Sequence, residues 1–515
     1  MSVDTHALRT DSATGKVSWR GWVALAVLML PVLLVSVDNT VLSFALPEIA
    51  IHLEPTSTEQ LWIIDAYPLV LAALLVTMGT MGDRFGRRKM LLIGATGFAA
   101  ISVLAAFSTS AGMLIASRAA MGFFGAMLMP STMSLLRSIF TDRDQRRLAV
   151  AIWAAGFSAG SALGPIVGGV LLEHFSWGSV FLLSVPVLVP LLIFAPMLVP
   201  ETKDPNPGRL DPVSIALSVA TMVPIVFAIK EVAVQGFFHP VSLLFVVGLF
   251  FGWLFVRRQL RLEVPMLDMA LFRMPIFSGS IMVNLLSVIA LVGFLYFVAQ
   301  HLQLIVGLSP LNAGLALVPG LVVMIIAGLV VVPISARVSP HILIPGALVF
   351  SIIGYVAVAF ATDESAVATL MLAFVSLGIG IGMAETVSND LVLASATAAK
   401  AGAASAVSET AYELGAVLGT SILGGILTAF YRSTIVVSAG VPGDAADAAR
   451  ETLAGAVIEA EKLGGTMGDD LFAAAAHAFD SGVTVTALIG AGLIVIAAVI
   501  AGTTLNSKKS APAAK

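Results

Sequence analysis

Gly79-Thr-Met-Gly-Asp83-Arg84-Phe-Gly86-Arg87-Arg88-Lys89 is a short charged stretch between two long apolar runs, about 60–81 before it and 90–109 after it. Each run holds roughly 20 residues, the length a helix needs to cross a hydrocarbon core about 30 Å thick. Backbone groups in lipid must be satisfied internally, which leaves helices or closed barrels. Barrel strands are about ten residues long and alternate in polarity. These runs are near-continuous, so the pattern predicts a pair of membrane-spanning helices joined by a charged loop.

The rest of the chain repeats this pattern. Of its 515 residues, 58% are hydrophobic and only 11% charged. A soluble domain carries about 45–50% apolar and about 25% charged residues. The formal net charge of -4 gives no support to a nucleic-acid partner, which calls for a basic excess. The chain has no cysteine, which excludes disulfides and Cys-ligated metals. The first 20 residues are polar and carry Arg9, Lys16 and Arg20. The apolar run after them is too long for a signal-peptide core and reads as an uncleaved first span.

Fourteen spans are expected, an all-α integral membrane fold. They fall at about 21–46, 60–81, 90–109, 112–135, 148–172, 178–199, 212–232, 240–257, 276–300, 313–334, 340–361, 366–388, 403–430 and 480–503. With the N-terminus inside, 22 of the 27 Lys and Arg fall on the inner side and 3 on the outer side. Arg118 and Lys230 are left near or within spans. Cytoplasmic loops carry the basic excess, so both termini are expected in the cytoplasm. The polar break Glu201–Arg209 and the basic stretch Arg257–Arg273 divide the chain. The expected units are a six-helix bundle over 1–199, two additional helices over 200–275 and a second six-helix bundle over 276–515. A long, Ala-rich, acidic outer loop, 431–479, precedes the last span and allows short amphipathic helices.

Three constellations carry chemistry. In the opening stretch, Gly79, Asp83, Arg84, Gly86 and Arg87 form an expected conformational latch. Gly86 permits a tight turn, and Asp83 can accept from a helix N-terminus or a basic side chain. The bland reading is a basic loop that only fixes topology. The second constellation is in the fifth span, where Gly156, Gly160, Gly164 and Gly168 share one helix face. Pro165 favours a kink there, and Gly169 follows. Such a face permits close helix packing. Gly156-Phe-Ser-Ala-Gly160 also matches a hydrolase pattern, but a nucleophile elbow needs a strand, a turn and a helix. The third is a set of ionisable residues within spans, which are costly in lipid and usually face a cavity. They are Asp38, Asp65, Arg118, Glu385, Glu409 and Glu413. Glu409 and Glu413 are four apart and share a face. Two carboxylates close together in a low dielectric resist ionising together, so the pair can hold a proton and release it when a cation arrives. Asp38 lies deep enough to do the same. Asp65 is expected nearer the outer mouth, and Glu385 and Asp390 near the inner end of their span, where a side chain can snorkel to water.

These residues together resemble the major facilitator superfamily. The Asp83 loop looks like its conserved loop between spans 2 and 3. Leu114-Ile-Ala-Ser-Arg118-Ala-Ala-Met-Gly122 looks like its span-4 motif, and the Gly164-Pro165 helix like its antiporter motif. Asp38-Asn-Thr-Val-Leu-Ser-Phe-Ala-Leu-Pro47 resembles the span-1 motif of the fourteen-span drug:proton antiporters. Within that group the chain resembles exporters of quaternary ammonium compounds, of the QacA kind. Leu61-Trp-Ile-Ile-Asp65-Ala-Tyr67 and Ala406-Val-Ser408-Glu409-Thr-Ala-Tyr412-Glu413-Leu-Gly415 belong to the same likeness.

The resemblance implies a proton-coupled multidrug antiporter, not an enzyme, in the cytoplasmic membrane. It implies that Asp38, Glu409 and Glu413 carry protons or contact cations, that Asp65 assists, and that Arg118 relays protons. The expected partners are lipophilic cations, protons and lipid. The chain is expected to be a monomer with no cofactor beyond the proton gradient and no metal. The sequence departs from the group twice: Ser408 stands where the family has an acid, and Met324 where it has one linked to divalent cations. Both reduce negative charge, which points to monovalent cargo, with Glu385 placed to compensate. The rival readings are an exporter of an endogenous metabolite or lipid, a membrane enzyme, and a non-transporting receptor. His-Glu-x-x-His is absent and the seven His are scattered, and a receptor leaves the buried acids unexplained.

Overall fold

The computed structural model describes residues 18–204, 211–235, 239–262, 265, 267–360, 366–395 and 401–506. Arg9, Lys16, Arg209, Lys400, Lys508, Lys509 and Lys515 of the basic tally lie outside the described residues. Among the described residues, thirteen helices are long and apolar enough to cross a membrane. The fifth expected span, 148–172, falls within α6 (Arg143–His174), a continuous helix of 32 residues. Its apolar part among the described residues is Leu163–His174. The hydrolase-like stretch from Gly156 to Gly160 is thus helical throughout.

A first group of helices runs from α1 (Trp19–Leu53) and α2 (Ser57–Phe85) through α3 (Arg87–Ala106), α4 (Ala111–Gly125), α5 (Leu128–Ile139), α6, α7 (Ser179–Leu182) and α8 (Ser184–Leu198). Local chemistry sets the breaks. Thr56 and Glu59 cap α2 reciprocally, Thr56 N donating to Glu59 at 2.9 Å and Glu59 N to Thr56 at 3.3 Å. Gly86 separates α2 from α3 with φ of 119°, a region that disfavours any residue with a Cβ. The expected span 112–135 is two helices, α4 and α5. Pro130 has no N–H to offer the carbonyl of Ala126, where the first helix stops.

Next come α9 (Pro212–Gln235) and α10 (Leu243–Gln259). They pack on each other. At their basic end Arg258 grips Asp211 with two bonds, 2.8 and 3.0 Å. That grip holds the Asp211 carboxyl down at about 2.

The second group comprises α11 (Pro275–Gln300), α12 (Pro310–Ser335), α13 (Pro340–Ala359), α14 (Ala366–Ala394), α15 (Ala401–Leu418), α16 (Gly425–Thr434), α17 (Gly443–Glu451), α18 (Leu453–Leu463) and α19 (Gly465–Thr504). Two π-helical turns interrupt it, His301–Ile305 and Gly419–Gly424. The expected loop 431–479 is mostly helix. Helix α19 starts at Gly465 and has 40 residues, so the last span projects well past its expected start at 480. Helices α17 and α18 bury Ala445, Ala449, Leu453, Ala456 and Ala460, and α18 packs on α19 and α1. They form a cap at the end of the bundle opposite the Asp83 loop. Those two ends are called here the capped end and the basic end.

Lipid offers helices no hydrophobic drive to associate, so close van der Waals packing through small residues must hold them. The glycine face of α6 does this. A Cβ on Gly160 would come within 2.5 Å of Ser36 Cβ, and one on Gly168 within 2.6 Å of Val41 Cγ2. Gly156 and Gly164 sit still more tightly on Met29 and Thr40. All four rest on α1. Gly169 faces the other way, with Leu311 Cα 2.6 Å from where its Cβ would be, and there α6 meets α12 of the second group.

Candidate functional site: the cavity between the helix groups

A central cavity opens where the two groups face each other at mid-depth. Asn39, Asp65 and Arg118 line it from the first group. Met324, Glu385 and Tyr412 line it from the second. Six helices supply these six residues, which explains why the sequence presents them as separate fragments.

On the first group's side, Asp38 and Arg118 form an ion pair of 2.7 Å with both side chains buried. Arg118 Nε donates to the Ile63 carbonyl at 3.2 Å, and the guanidinium stands 4.6 Å from the centre of the Tyr67 ring. The cation is therefore fixed from three sides. Next to Asp38, Asn39 Nδ2 reaches across to Glu413 Oε1 at 3.4 Å.

On the second group's side the acids are less satisfied. Glu413 is 4% exposed, and its Oε2 has no hydrogen-bond partner. Glu385 Oε1 is also buried without a partner. Glu409 is half-buried one turn before Glu413. Ser408 donates to Asn389 at 2.8 Å, and Asn284 donates to the same oxygen at 2.8 Å. The position lacking a family acid thus serves a neutral polar cluster. Met324 lines the cavity and packs on Gly378, whose Cβ would lie 3.2 Å from the Met324 Cβ.

Two expectations need correction. Asp65, expected nearer the outer mouth, where a solvated role is one alternative, is not solvated. It is fully buried and forms an ion pair of 2.9 Å with Lys230 of α9, while Ser421 donates to it at 2.8 Å. Sequence reading left Lys230 without a role, although a lysine inside an apolar span calls for a partner. Glu385 does not snorkel to water; it lines the cavity, whereas Asp390 is exposed.

At the basic end the Asp83 loop has a partner that sequence reading missed. Arg87 Nε donates to Asp83 at 2.8 Å. The N-terminus of α3 is held by Glu201 instead, which accepts from Arg88 N and Lys89 N at 3.0 Å each. Glu201 lies so close over Gly86 that a Cβ there would be 2.8 Å from its carboxylate. Arg88 also donates to Val199 O at 2.9 Å. Gly79 rests on Pro130, and the Arg84 guanidinium stands over the Phe85 ring, 6.0 Å from its centre. The only sequence signal for Glu201 was its place at the first polar break.

At the capped end Glu451 accepts from Ser57 N at 3.1 Å and Ser57 Oγ at 2.8 Å, and it pairs with Arg432. Half-burial pushes its carboxyl up, but the Ser57 bonds and Arg432 outweigh that and hold it below the ordinary range. Gln303 Nε2 donates to Phe44 O at 3.1 Å, and Leu61 packs on Gly424. These contacts join the two groups toward the capped end.

The model of the Major Facilitator Superfamily matches residues 28–420. The multidrug efflux pump LfrA of Mycolicibacterium smegmatis is 56% identical over 490 residues, 95% of this chain and 97% of that protein. The methyl viologen resistance protein SmvA of Salmonella typhimurium is 34% identical over 469 residues, covering 90% and 93%. Among solved structures, a bacterial homologue of the human lysosomal transporter Spinster, inward-facing and occupied, superposes with a TM-score of 0.68 at 16% identity, covering 96% and 99%. A D-xylose–proton symporter follows with a TM-score of 0.63 at 14% identity, covering 94% and 98%.

Proposed function

The chain belongs to the Major Facilitator Superfamily, and from that premise we propose that it is a proton-coupled antiporter exporting lipophilic cations. It is a multi-pass protein of the cell membrane, and its relatives include drug-efflux and drug-resistance proteins. On this reading α6 is a fourteenth span beside the thirteen long apolar helices, and the helices form two six-helix bundles around a middle pair. The basic end faces the cytoplasm, where most of the Lys and Arg lie.

One observation carries the reading. Glu385 lines the cavity and Glu413 bonds to Asn39 of its wall; each of these second-group acids has a buried oxygen without a hydrogen-bond partner, while Arg118 and Lys230 pair with Asp38 and Asp65 of the first. A buried carboxylate without a cation is costly. Each unmatched acid therefore needs either a proton or a positively charged cargo, and the two exclude each other. That exclusion is the coupling of an antiporter. Glu413 contacts Asn39 across the seam, so its state is felt by both bundles. Glu409, one turn away, tunes it by charge repulsion. The contacts that join the two groups toward the capped end support a reading in which cargo loads from the cytoplasm or inner leaflet. Rocking of the bundles about the cavity then exposes the site to the other side.

The testing experiment is ethidium efflux from cells or inverted vesicles, for wild type and Glu413→Gln, with and without an uncoupler. The expected result is uncoupler-sensitive efflux that Glu413→Gln abolishes while still inserting and folding. Efflux that survives both treatments overturns the coupling.

A further inference from the structure

Helix α9 belongs to neither six-helix bundle, yet it lies against both. It packs on α2 of the first and on α16 and the π-helical turn of the second. Leu69 of α2, Val226 of α9 and Val417 of α15 bury one another at this junction, with Trp62 and Met222 beside them. Helix α9 therefore runs along the seam that must part when the capped end opens.

Lys230 projects from α9 into that seam and is completely buried. An ammonium has three donors, and this one is well occupied. It pairs with Asp65 Oδ2 at 2.9 Å and donates to the Leu61 carbonyl at 2.9 Å. It also stands 3.9 Å from the centre of the Trp62 ring. Leu61, Trp62 and Asp65 are all on α2. The same Asp65 oxygen accepts from Ser421 of the second bundle at 2.8 Å. One carboxylate is thus gripped by the second bundle and by the middle helix at once.

We infer that Lys230 is an ionic pin through which the middle helix pair keeps the capped end shut, and that neutralising Asp65 withdraws the pin. While Asp65 is ionised, parting the seam strands a buried charge on each side, a costly outcome. Once Asp65 is neutral, its ion pair with Lys230 no longer ties α2 to α9. The groups facing Asp65 are Lys230 from α9, Thr420 and Ser421 from the π-helical turn and Tyr296 from α11. Arg118 and Glu385 share its cavity wall. Lys230 is the cation in contact with it. While that contact lasts, Asp65 is taken by a tethered amine and is closed to the cation of the cargo. The inference uses the rocking motion proposed above, but not the identity of the cargo.

The test is a distance measurement between spin labels at Ile51→Cys and Val436→Cys, exposed positions at the capped end on opposite bundles. The chain has no native cysteine to interfere. In the labelled background, Asp65→Asn and Lys230→Met should each raise the long-distance population several-fold, while Lys230→Arg retains the short-distance one. If Lys230→Met fails to fold, Asp65→Asn decides alone. Unchanged distances in folded Asp65→Asn and Lys230→Met, even with a lowered Tm, would make the pair a structural strut and overturn the pin. Ethidium efflux by the same labelled proteins separates the two ideas. Wild-type efflux with unmoved distances sinks the pin only. Shifted distances without efflux from the wild type sink the exporter reading only.

Discussion

Arg118 Nη1 lies 2.7 Å from Asp38 Oδ2, with the two side chains 1% and 8% exposed. This pair matches a buried acid of the first bundle with a cation of the same bundle. The second bundle has no such cation beside Glu385 or Glu413 among the described residues, so the cavity is electrostatically lopsided.

Removing one partner of a buried pair leaves an uncompensated charge, at a cost of about 3–5 kcal/mol. Arg118→Leu should therefore lose efflux and much of its thermal stability. Arg118→Lys keeps the charge but not the fork that reaches both Asp38 and the Ile63 carbonyl. Its expected signature is near-wild-type expression with strongly reduced ethidium efflux. Wild-type efflux from Arg118→Lys would show that a point charge suffices.

Cargo charge can be tested directly. With Met324 at one wall position and Asp65 held by Lys230, monovalent ethidium should be exported well and divalent methyl viologen poorly. Met324→Asp adds an acid to the same wall and should improve resistance to the dication. Equal export of both by the wild type would assign Glu385 the second charge, and Glu385→Gln should then remove dication export selectively.

The α6 glycine face makes a steric prediction. Gly164→Val places a branched side chain against Thr40 and the Val37 carbonyl of α1. Overpacking costs typically 1–3 kcal/mol, and here it also pushes α1 and its Asp38 from Arg118. Efflux should fall much more than expression does. Gly112→Ala, where a Cβ meets nothing, is the matched control and should be silent.

Glu201 caps α3 through two backbone N–H groups, and losing a helix cap costs about 1 kcal/mol. Glu201→Gln should lower Tm by a few degrees and weaken the Asp83 loop's hold on α8. The same change in an Asp83→Asn background should add little if both residues serve one latch. Full additivity in a double-mutant cycle would separate them.

The cap at the other end has a pH signature. The Glu451 carboxyl is depressed in the folded protein, so its contribution is fully present above the unfolded value of about 4.3. It fades as pH falls from there toward the folded value. The Tm gap between wild type and Glu451→Gln should be constant from pH 7 to about 5 and should narrow below about 4. A gap that widens on acidification would contradict the assignment.

Much of this architecture could be read in the chain directly. Near-continuous apolar runs admit few structures in lipid, so spans such as 276–300 and 340–361 were legible to within a few residues. The α6 glycines showed their shared face by spacing alone. Short-range chemistry was harder to see. The split between α4 and α5 depends on the missing N–H of Pro130, and the early start of α19 depends on packing with α18.

The candidate site divides along the same line. The sequence by itself determined that Asp38, Asp65, Arg118, Glu385, Glu409 and Glu413 stand within apolar spans, because charge in lipid is too costly to be incidental. It also determined the bundle's basic end, because Lys and Arg are counted, not placed. Only the tertiary structure decided which charges meet. Arg118 and Asp38 are 80 positions apart, Lys230 and Asp65 far more, and Glu201 reaches Arg88 across 113. Pairing across such separations depends on how helices are arranged side by side. That arrangement leaves Glu413 and Glu385 without a paired cation among the described residues and gives Asp65 one in Lys230, and composition and spacing carry no record of it.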